Sequence, residues 1–391
     1  MKLLLICWGD PFASQGGTEI YIGNLTIELA RQGHEVYVLY GGKEHPDLEE
    51  RNFITHPIHP INFPYVRGLD FRRRCADLCN ELMRDSDFDA VVASGAGTFP
   101  GYIFSRLIKR RKRLLVYYAM DSMKMEYERS GLSTDSKWTF TNLGRWIRYT
   151  FLIKSDESSC FYSDLILASS RDTASHLATD YGVSSSKVEI AYEGVPDDYS
   201  HGIEIVDPDM PVFLHVAGGP RKGTGHFFEA LKILKEKYAL RTRAIVTRAS
   251  STQTNQARRL GIDGEVYGYL PYSKLKQLYA SSTALVSPSL SEGFCLPVIE
   301  AAMFGKPAIV SNVGSLPELV IDGENGFVVP VADVATLAEK MYQIAVDKQL
   351  RNQMSEKAAE FSQRFKISRA AETLIKLLNN KLQDKYDTSS N

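Results

Sequence analysis

Cysteine is scarce in this chain: five residues, Cys7, Cys75, Cys79, Cys160 and Cys295, scattered over 391 positions. An odd, dispersed set supports no disulfide framework. Cys75 and Cys79 lie one helical turn apart but have no histidine-rich neighbourhood to complete a zinc set. The five read as reduced thiols of a cytosolic chain. Excess charge is also missing. The 46 Lys and Arg nearly balance the 47 Asp and Glu, leaving a formal net charge of −1. No overall field therefore draws the chain to nucleic acid or a membrane, and any such contact has to be local. No apolar run approaches the roughly 20 residues of a membrane span. The opening Met1-Lys2-Leu3-Leu4-Leu5-Ile6-Cys7 stops at Trp8-Gly9-Asp10-Pro11 without the small residues of a cleavage site, so it reads as a buried strand. There is no repeat of fixed period, and low complexity is confined to the polar tail 384–391. Walker A and the Gly-x-Gly-x-x-Gly dinucleotide signature are absent. His56 and His59 lack cysteines or carboxylates at ligand spacing and read as ordinary loop residues, so no metal site is expected.

What is present is a long alternation of strand and helix patterns. At 391 residues the chain exceeds the roughly 250–300 at which single cores stop growing, which implies two domains. The first half reads as strand 3–7, a loop holding Gly16-Gly17, a helix over 18–31 closed by Gly33, and strand 35–40. Further parallel strands are expected over 89–94, 114–118 and 165–169. The stretch 196–211 is polar, acidic and proline-bearing, which suits an interdomain linker between a domain over 1–200 and one over 211–366. Helices are expected over 335–346 and 367–382.

Two runs carry chemistry. In Ser287-Pro288-Ser289-Leu290-Ser291-Glu292-Gly293-Phe294-Cys295-Leu296-Pro297-Val298-Ile299-Glu300, a buried strand over 283–287 breaks into a loop. Pro297 then opens a helix at its favoured first position, with Gly305 as the C-cap. Glu292 and Glu300 stand eight residues apart, one in the loop and one in the helix. The N–H groups of Phe294, Cys295 and Leu296 gather at the helix N-terminus, which favours an anion such as a diphosphate. A capping box is expected at Ser315 and Glu318. The second run, Gly218-Gly219-Pro220-Arg221-Lys222-Gly223-Thr224-Gly225, follows a strand over 212–216. Its small residues permit close approach, while Arg221 and Lys222 reach ligand oxygens.

The stretch from 265 to 340 resembles the retaining glycosyltransferases of group 1, with their two-domain GT-B architecture. The resemblance is carried by the Glu-x7-Glu pair, the Pro-Ser-x-x-Glu-Gly-Phe before it, and the Gly-Lys-Pro-Ala-Ile-Val-Ser-Asn and Gly-Ser-Leu-Pro-Glu after it. It is strong over 212–340 and looser over 1–195. It implies an α/β fold of two Rossmann-like parallel-sheet domains facing a cleft, the first for the acceptor and the second for the donor. The last helix, about 367–391, would pack back on the first domain. By the same resemblance Glu300 holds the donor ribose, Glu292 lies by the transferred sugar, and Gly16 and Gly17 face the donor diphosphate. Lys222 matches the family lysine. The family arginine before it is missing, since Val216, Ala217 and Gly218 occupy its place, and Arg221 is the substitute. Many relatives have histidine before aspartate after the strand 114–118; here the pair is Met120-Asp121, which leaves Asp121 the candidate. Cys295 stands where relatives have glycine, in a packing role.

The resulting expectation is transfer of a hexosyl unit, with retention, from a nucleoside-diphosphate sugar to a saccharide, lipid-linked or small-molecule acceptor. A UDP-sugar is favoured over a GDP-sugar. Arg221, Lys222 and the helix end would offset the diphosphate charge, so neither cofactor nor metal is required. A basic cluster, Arg106 to Arg113 with Arg145 and Arg148, offers peripheral contact with an anionic membrane face from a cytoplasmic location. Two alternatives stay open: an epimerase or phosphorylase of the same fold, and a non-catalytic subunit that binds nucleotide sugar.

Overall fold

Strands of continuous apolar residues alternate with helices throughout the residues that the computed structural model describes: 1–13, 16–45, 52–60, 66–107, 113–129 and 140–389. A run such as Leu3-Leu4-Leu5-Ile6-Cys7, buried along its whole length, belongs in a parallel sheet covered by helices on both faces. The chain divides into two units, Met1–Gly194 with Ile367–Asn391, and Val195–Lys366.

In the first unit the elements are β1 (Lys2–Cys7), α1 (Gly17–Arg31), β2 (Glu35–Gly41), β3 (Phe53–Ile58), α2 (Val66–Asp85), β4 (Ala90–Ser94), α3 (Pro100–Leu107), β5 (Leu114–Ala119), α4 (Met123–Arg129), α5 (Phe140–Tyr162), β6 (Leu165–Ala168), α6 (Arg171–Tyr181) and β7 (Val188–Ile190). The parallel sheet runs β3-β2-β1-β4-β5-β6-β7, so its order reverses between β1 and β4. Such a switch point opens a crevice at the carboxyl ends of the strands. Cys75 and Cys79 pack in the core with Phe71, Phe104 and Tyr117, and all five cysteines of the chain are buried free thiols.

The second unit contains β8 (Val212–Val216), α7 (Thr224–Lys237), β9 (Arg243–Thr247), α8 (Ser251–Arg259), β10 (Gly264–Val266), α9 (Tyr272–Ala280), β11 (Ala284–Ser287), α10 (Leu296–Met303), β12 (Ala308–Ser311), α11 (Leu316–Leu319), β13 (Gly326–Val329), α12 (Val334–Val346) and α13 (Lys348–Ser362). Its parallel sheet runs β10-β9-β8-β11-β12-β13. Phe213, Phe227 and Phe228 are fully buried in its core, each worth about 1.5–3 kcal/mol relative to exposure. The last helix, α14 (Ile367–Ser389), belongs to the first unit and packs on α1. There Lys385 Nζ donates to the Arg113 carbonyl at 2.9 Å and to Asp164 Oδ2 at 3.1 Å.

Several sequence expectations need correction. The stretch read as a linker counts with the second unit, because Tyr199 is fully buried there, edge-on to Tyr272 at 5.2 Å and to Phe304 at 5.8 Å. His56 lies in β3 rather than in a loop, its ring stacked on Tyr37. The box at Ser315 does not form: that serine precedes α11, but its buried hydroxyl makes no cap bond. α13 was not expected, since only Met354, Ala358 and Ser362 of its face are buried and its apolar stripe is correspondingly thin.

Candidate functional site

In the second unit the loop after β8 is forced against the loop after β11. Gly223 has φ 67°, and a Cβ there would stand 1.8 Å from the Pro288 carbonyl oxygen, so only glycine permits the approach. Leu290 N donates to the Arg221 carbonyl at 2.7 Å, tying the two loops by backbone. Arg221 and Lys222 end a short 3-10 turn, Pro220–Lys222, within the loop after β8. The Lys222 ammonium then donates to Glu292 Oε1 at 2.6 Å, and Ser289 Oγ donates to the same oxygen at 2.8 Å. Glu292 is 1% exposed. Burial by itself would raise its carboxyl, but the charges of Lys222 and Arg221, with hydrogen bonds from Lys222 and Ser289, hold it below its usual value. A third loop closes on the same residue. Gly314, at φ 59°, places a would-be Cβ 1.9 Å from the Glu292 carbonyl oxygen, and Ser315 N donates to that oxygen at 3.3 Å.

α10 starts directly after this loop, with Cys295 as N-cap and no side chain capping it. Leu296 takes the first helical position and Pro297 the second, one later than expected. Met303 ends the helix and Phe304 caps it. Gly305 N donates to the Ala302 carbonyl and Lys306 N to the Ala301 carbonyl, a Schellman pair with Gly305 just past the cap rather than at it. The Cys295 thiol, 3.7 Å from Ser287 Oγ, is pushed up to about 12 by burial, which suits packing and not reactivity. Glu300 falls in the second turn, 5% exposed. Tyr279 OH donates to Oε2 at 2.7 Å and Tyr272 OH to Oε1 at 3.1 Å. Burial raises this carboxyl, with partial offset from Tyr279, the Arg248 charge and Tyr272. A carboxylate has about four acceptor positions, so two tyrosines leave room for further donors such as a diol.

Beneath these loops His215, on the interior strand β8 and 1% exposed, links β8 to the adjacent β11 and to the start of α7. Its Nδ1 lies 2.9 Å from the Val286 carbonyl and its Nε2 3.0 Å from Thr224 Oγ1, which accepts from Gln253 Nε2 at 2.8 Å. The Val286 carbonyl needs a donor, which places N–H on Nδ1; with the pKa lowered by burial the ring is neutral near pH 7, and Nε2 then accepts from the Thr224 hydroxyl. Burial lowers its pKa to about 4.

In the first unit, Gly16 is the N-cap of α1 and Gly17 its first residue, following β1. Asp121 follows β5 at the same carboxyl edge; it is buried, and its Oδ1 accepts from Ser122 N at 2.9 Å. Thus Arg221, Lys222, Glu292, Phe294, Cys295, Leu296 and Glu300 gather in one unit, and Gly16, Gly17 and Asp121 lie in the other. The proposed basic patch is smaller than it reads. Arg113 is 7% exposed and bonded to Asp87 at 3.1 Å, so its charge does not face a surface. Residues 108–112 and the Arg145 side chain lie outside the described residues, whereas Arg106 and Arg148 are exposed. Among the described residues, no helix is long and apolar enough to cross a membrane, and no three His, Cys, Asp or Glu gather as for a metal ion. Sequence reasoning missed His215, Ser289, Tyr272 and Tyr279. For the tyrosines the signal was their spacing, seven residues apart on one helix; Ser289 lay in the Pro-Ser-x-x-Glu run without being given a role.

Two family descriptions match the chain: "Glycosyl transferases group 1" over residues 203–361 and "Glycosyltransferase Family 4" over residues 15–199. An uncharacterized glycosyltransferase of Methanocaldococcus jannaschii is 34% identical over 374 residues, 93% of this chain and 94% of that protein. The chain therefore belongs to the group 1 glycosyltransferases. The D-inositol 3-phosphate glycosyltransferase of Kribbella flavida is 29% identical over 235 residues, which span 54% of this chain and 55% of that relative. Among solved structures, sucrose-phosphate synthase from Thermosynechococcus elongatus superposes with a TM-score of 0.78 at 18% identity, over 97% of this chain and 99% of that one. Anabaena HepE in complex with UDP-glucose gives 0.73 at 18% identity, over 97% and 100%. At these identities the likeness establishes the GT-B fold alone.

Proposed function

We propose that this chain transfers a hexosyl unit from a nucleoside-diphosphate sugar, a UDP-sugar in preference to a GDP-sugar, to a saccharide, lipid-linked or small-molecule acceptor held by the first unit. The observation that carries the reading is the buried Glu292 carboxylate, tied to Lys222 at 2.6 Å beside the uncapped start of α10. A carboxylate kept ionised next to a cation suits a place by the transferred sugar. Backbone N–H groups at a helix N-terminus suit the diphosphate, and Glu300 suits the ribose. In the step, the acceptor oxygen bonds to the anomeric carbon and the bond from that carbon to the phosphate oxygen breaks. The acceptor proton leaves with the diphosphate. Lys222 and Arg221 offset the charge that develops on the leaving group, so the reading needs no metal, and attack from the side of departure retains configuration. The bound UDP-glucose named for the Anabaena fold relative supports the choice of base.

The test is a thermal-shift screen of UDP-glucose, UDP-galactose, UDP-N-acetylglucosamine and GDP-mannose. It is followed by transfer assays in EDTA, with the product anomer read by proton NMR. A UDP-sugar should raise Tm with its concentration and yield a product of the donor's anomeric configuration. Stabilisation by GDP-mannose alone would reassign the base. Donor binding without transfer or hydrolysis would leave a binding subunit.

A further inference from the structure

At the switch point of the first unit's sheet, three arginines lie on three aromatic rings. Trp8 directly follows β1, and Phe99 follows β4 through the short turn 96–98. These are the two adjacent strands between which the sheet order reverses. Gly68, near the start of α2, joins them: a Cβ there would stand 3.1 Å from the Phe99 ring and 3.9 Å from Trp8. Phe99 holds φ 54°, a left-handed conformation that costs a residue with a Cβ roughly 1–2 kcal/mol. Such strain persists where the surroundings impose it, and it clusters at ligand sites.

Arg67 lies over the Trp8 ring at 5.4 Å. Arg72 lies over Phe99 at 5.4 Å and Tyr102 at 4.5 Å, and Arg106 lies over Tyr102 at 5.2 Å while donating to its hydroxyl. The neighbouring α2 arginines differ, since Arg74 pairs with Asp70 at 2.8 Å and Arg73 with Asp77 at 3.9 Å. Among the described residues, no carboxylate forms an ion pair with Arg67, Arg72 or Arg106. Asp10, two residues after Trp8 in the chain, is engaged by His45 and by the N–H groups of Phe12 and Ala13. A guanidinium laid on a ring keeps its in-plane donors for a planar or tetrahedral anion, and arginine suits phosphate through its fork.

The geometry points to an acceptor subsite for a phosphate-bearing sugar. The arginines take the phosphate, and Trp8, whose ring carries Arg67 and meets Phe71 at 5.0 Å, borders the sugar rather than stacking on it. This assignment rests on the transferase reading for the word acceptor; the binding itself does not. Calorimetry on the full chain without donor tests it, titrating glucose 6-phosphate, glucose, and vesicles of phosphatidylglycerol in phosphatidylcholine. Wild type should bind glucose 6-phosphate at least tenfold more tightly than glucose. Arg67→Gln with Arg72→Gln should abolish that preference, and Arg72→Lys should lose part of it, because charge remains while the fork is gone. UDP affinity and Tm should match wild type in each variant, separating loss of this subsite from misfolding or a failed donor site. Equal affinity for the two sugars, or a preference that survives in the double variant, would overturn the subsite. Binding of vesicles alone would reassign the array to a membrane surface and overturn it equally.

Discussion

Lys222 Nζ and Glu292 Oε1 stand 2.6 Å apart, the lysine side chain 15% exposed and the glutamate 1%. A buried carboxylate survives only when its desolvation is met by a charge and by hydrogen bonds. Here Lys222 comes from the loop after β8 and Ser289 from the loop after β11, so the pair also joins the two runs that sequence reading had singled out separately.

Removing the cation should therefore be costly. Lys222→Met is expected to lose about 3–5 kcal/mol at neutral pH, because it leaves Glu292 unpaired in the interior. Glu292 has a depressed carboxyl in the wild type, so its contribution is full above the unfolded value and fades as pH falls through the folded one. The variant should behave in the opposite sense and gain stability relative to wild type on acidification. Urea unfolding at pH 5 and pH 8 checks this, and a deficit independent of pH would contradict it. Adding Glu292→Gln should recover most of the loss, while turnover stays low.

Glu300 gives the reverse linkage. Burial raises its folded carboxyl, so the fold binds that proton more tightly than the unfolded chain does. Wild-type stability should then decline as pH rises from the ordinary carboxyl value through the folded one. Glu300→Gln should flatten that decline and be no less stable at pH 8. At the same time the KM for donor should rise tenfold or more, since hydrogen bonds to a charged group are worth about 1.5–3 kcal/mol each. A collapse of kcat at unchanged donor affinity would remove the ribose assignment.

His215 sets an acid limit. Its pKa of about 4 lies below the ordinary 6.5, so the unfolded chain takes up a proton first and stability falls as pH drops from 6.5 towards 4. The full shift corresponds to on the order of 3 kcal/mol. His215→Gln should lower stability at pH 7 but reduce the slope in that window. Thermal melts at half-unit intervals decide it, and an unaltered slope would assign the acid limit elsewhere.

The loop after β8 offers a steric test. Gly223→Ala puts a Cβ 1.8 Å from the Pro288 oxygen at a left-handed φ, so the two loops must separate. Donor affinity should fall at least tenfold even where the far-UV spectrum is unchanged. Wild-type affinity in a stable variant would show that the loops need not meet for donor binding.

Arg221 tests the charge balance. Loss of one donor to a developing anion typically costs about a hundred- to a thousandfold in kcat, which is the expectation for Arg221→Ala. Wild-type activity should persist in excess EDTA. Near-normal turnover of the variant would shift the role to another basic residue, and activity lost in EDTA but restored by magnesium would replace the metal-free account.

Residue pattern by itself determined the two parallel-sheet units, because doubly covered strands must be continuously apolar, as in Leu3-Leu4-Leu5-Ile6-Cys7. It also marked Glu292, Lys222 and the helix that starts at Leu296, because proline, glycine and charge act within a few residues of chain. Tertiary structure decided the rest. No local pattern tells that Tyr272 and Tyr279 close on Glu300, that Ser289 and Lys222 share one oxygen of Glu292, or that His215 bridges β8 to Val286 and Thr224. Nor does sequence reveal that Arg113 is buried or that Tyr199 packs inside the second unit. Apart from Ser289 to Glu292, three residues apart, and His215 to Thr224, nine apart, these arrangements rest on contacts between residues distant in the chain. Burial and charge partners, which set whether a carboxyl is held down as in Glu292 or pushed up as in Glu300, exist only once those residues are brought together.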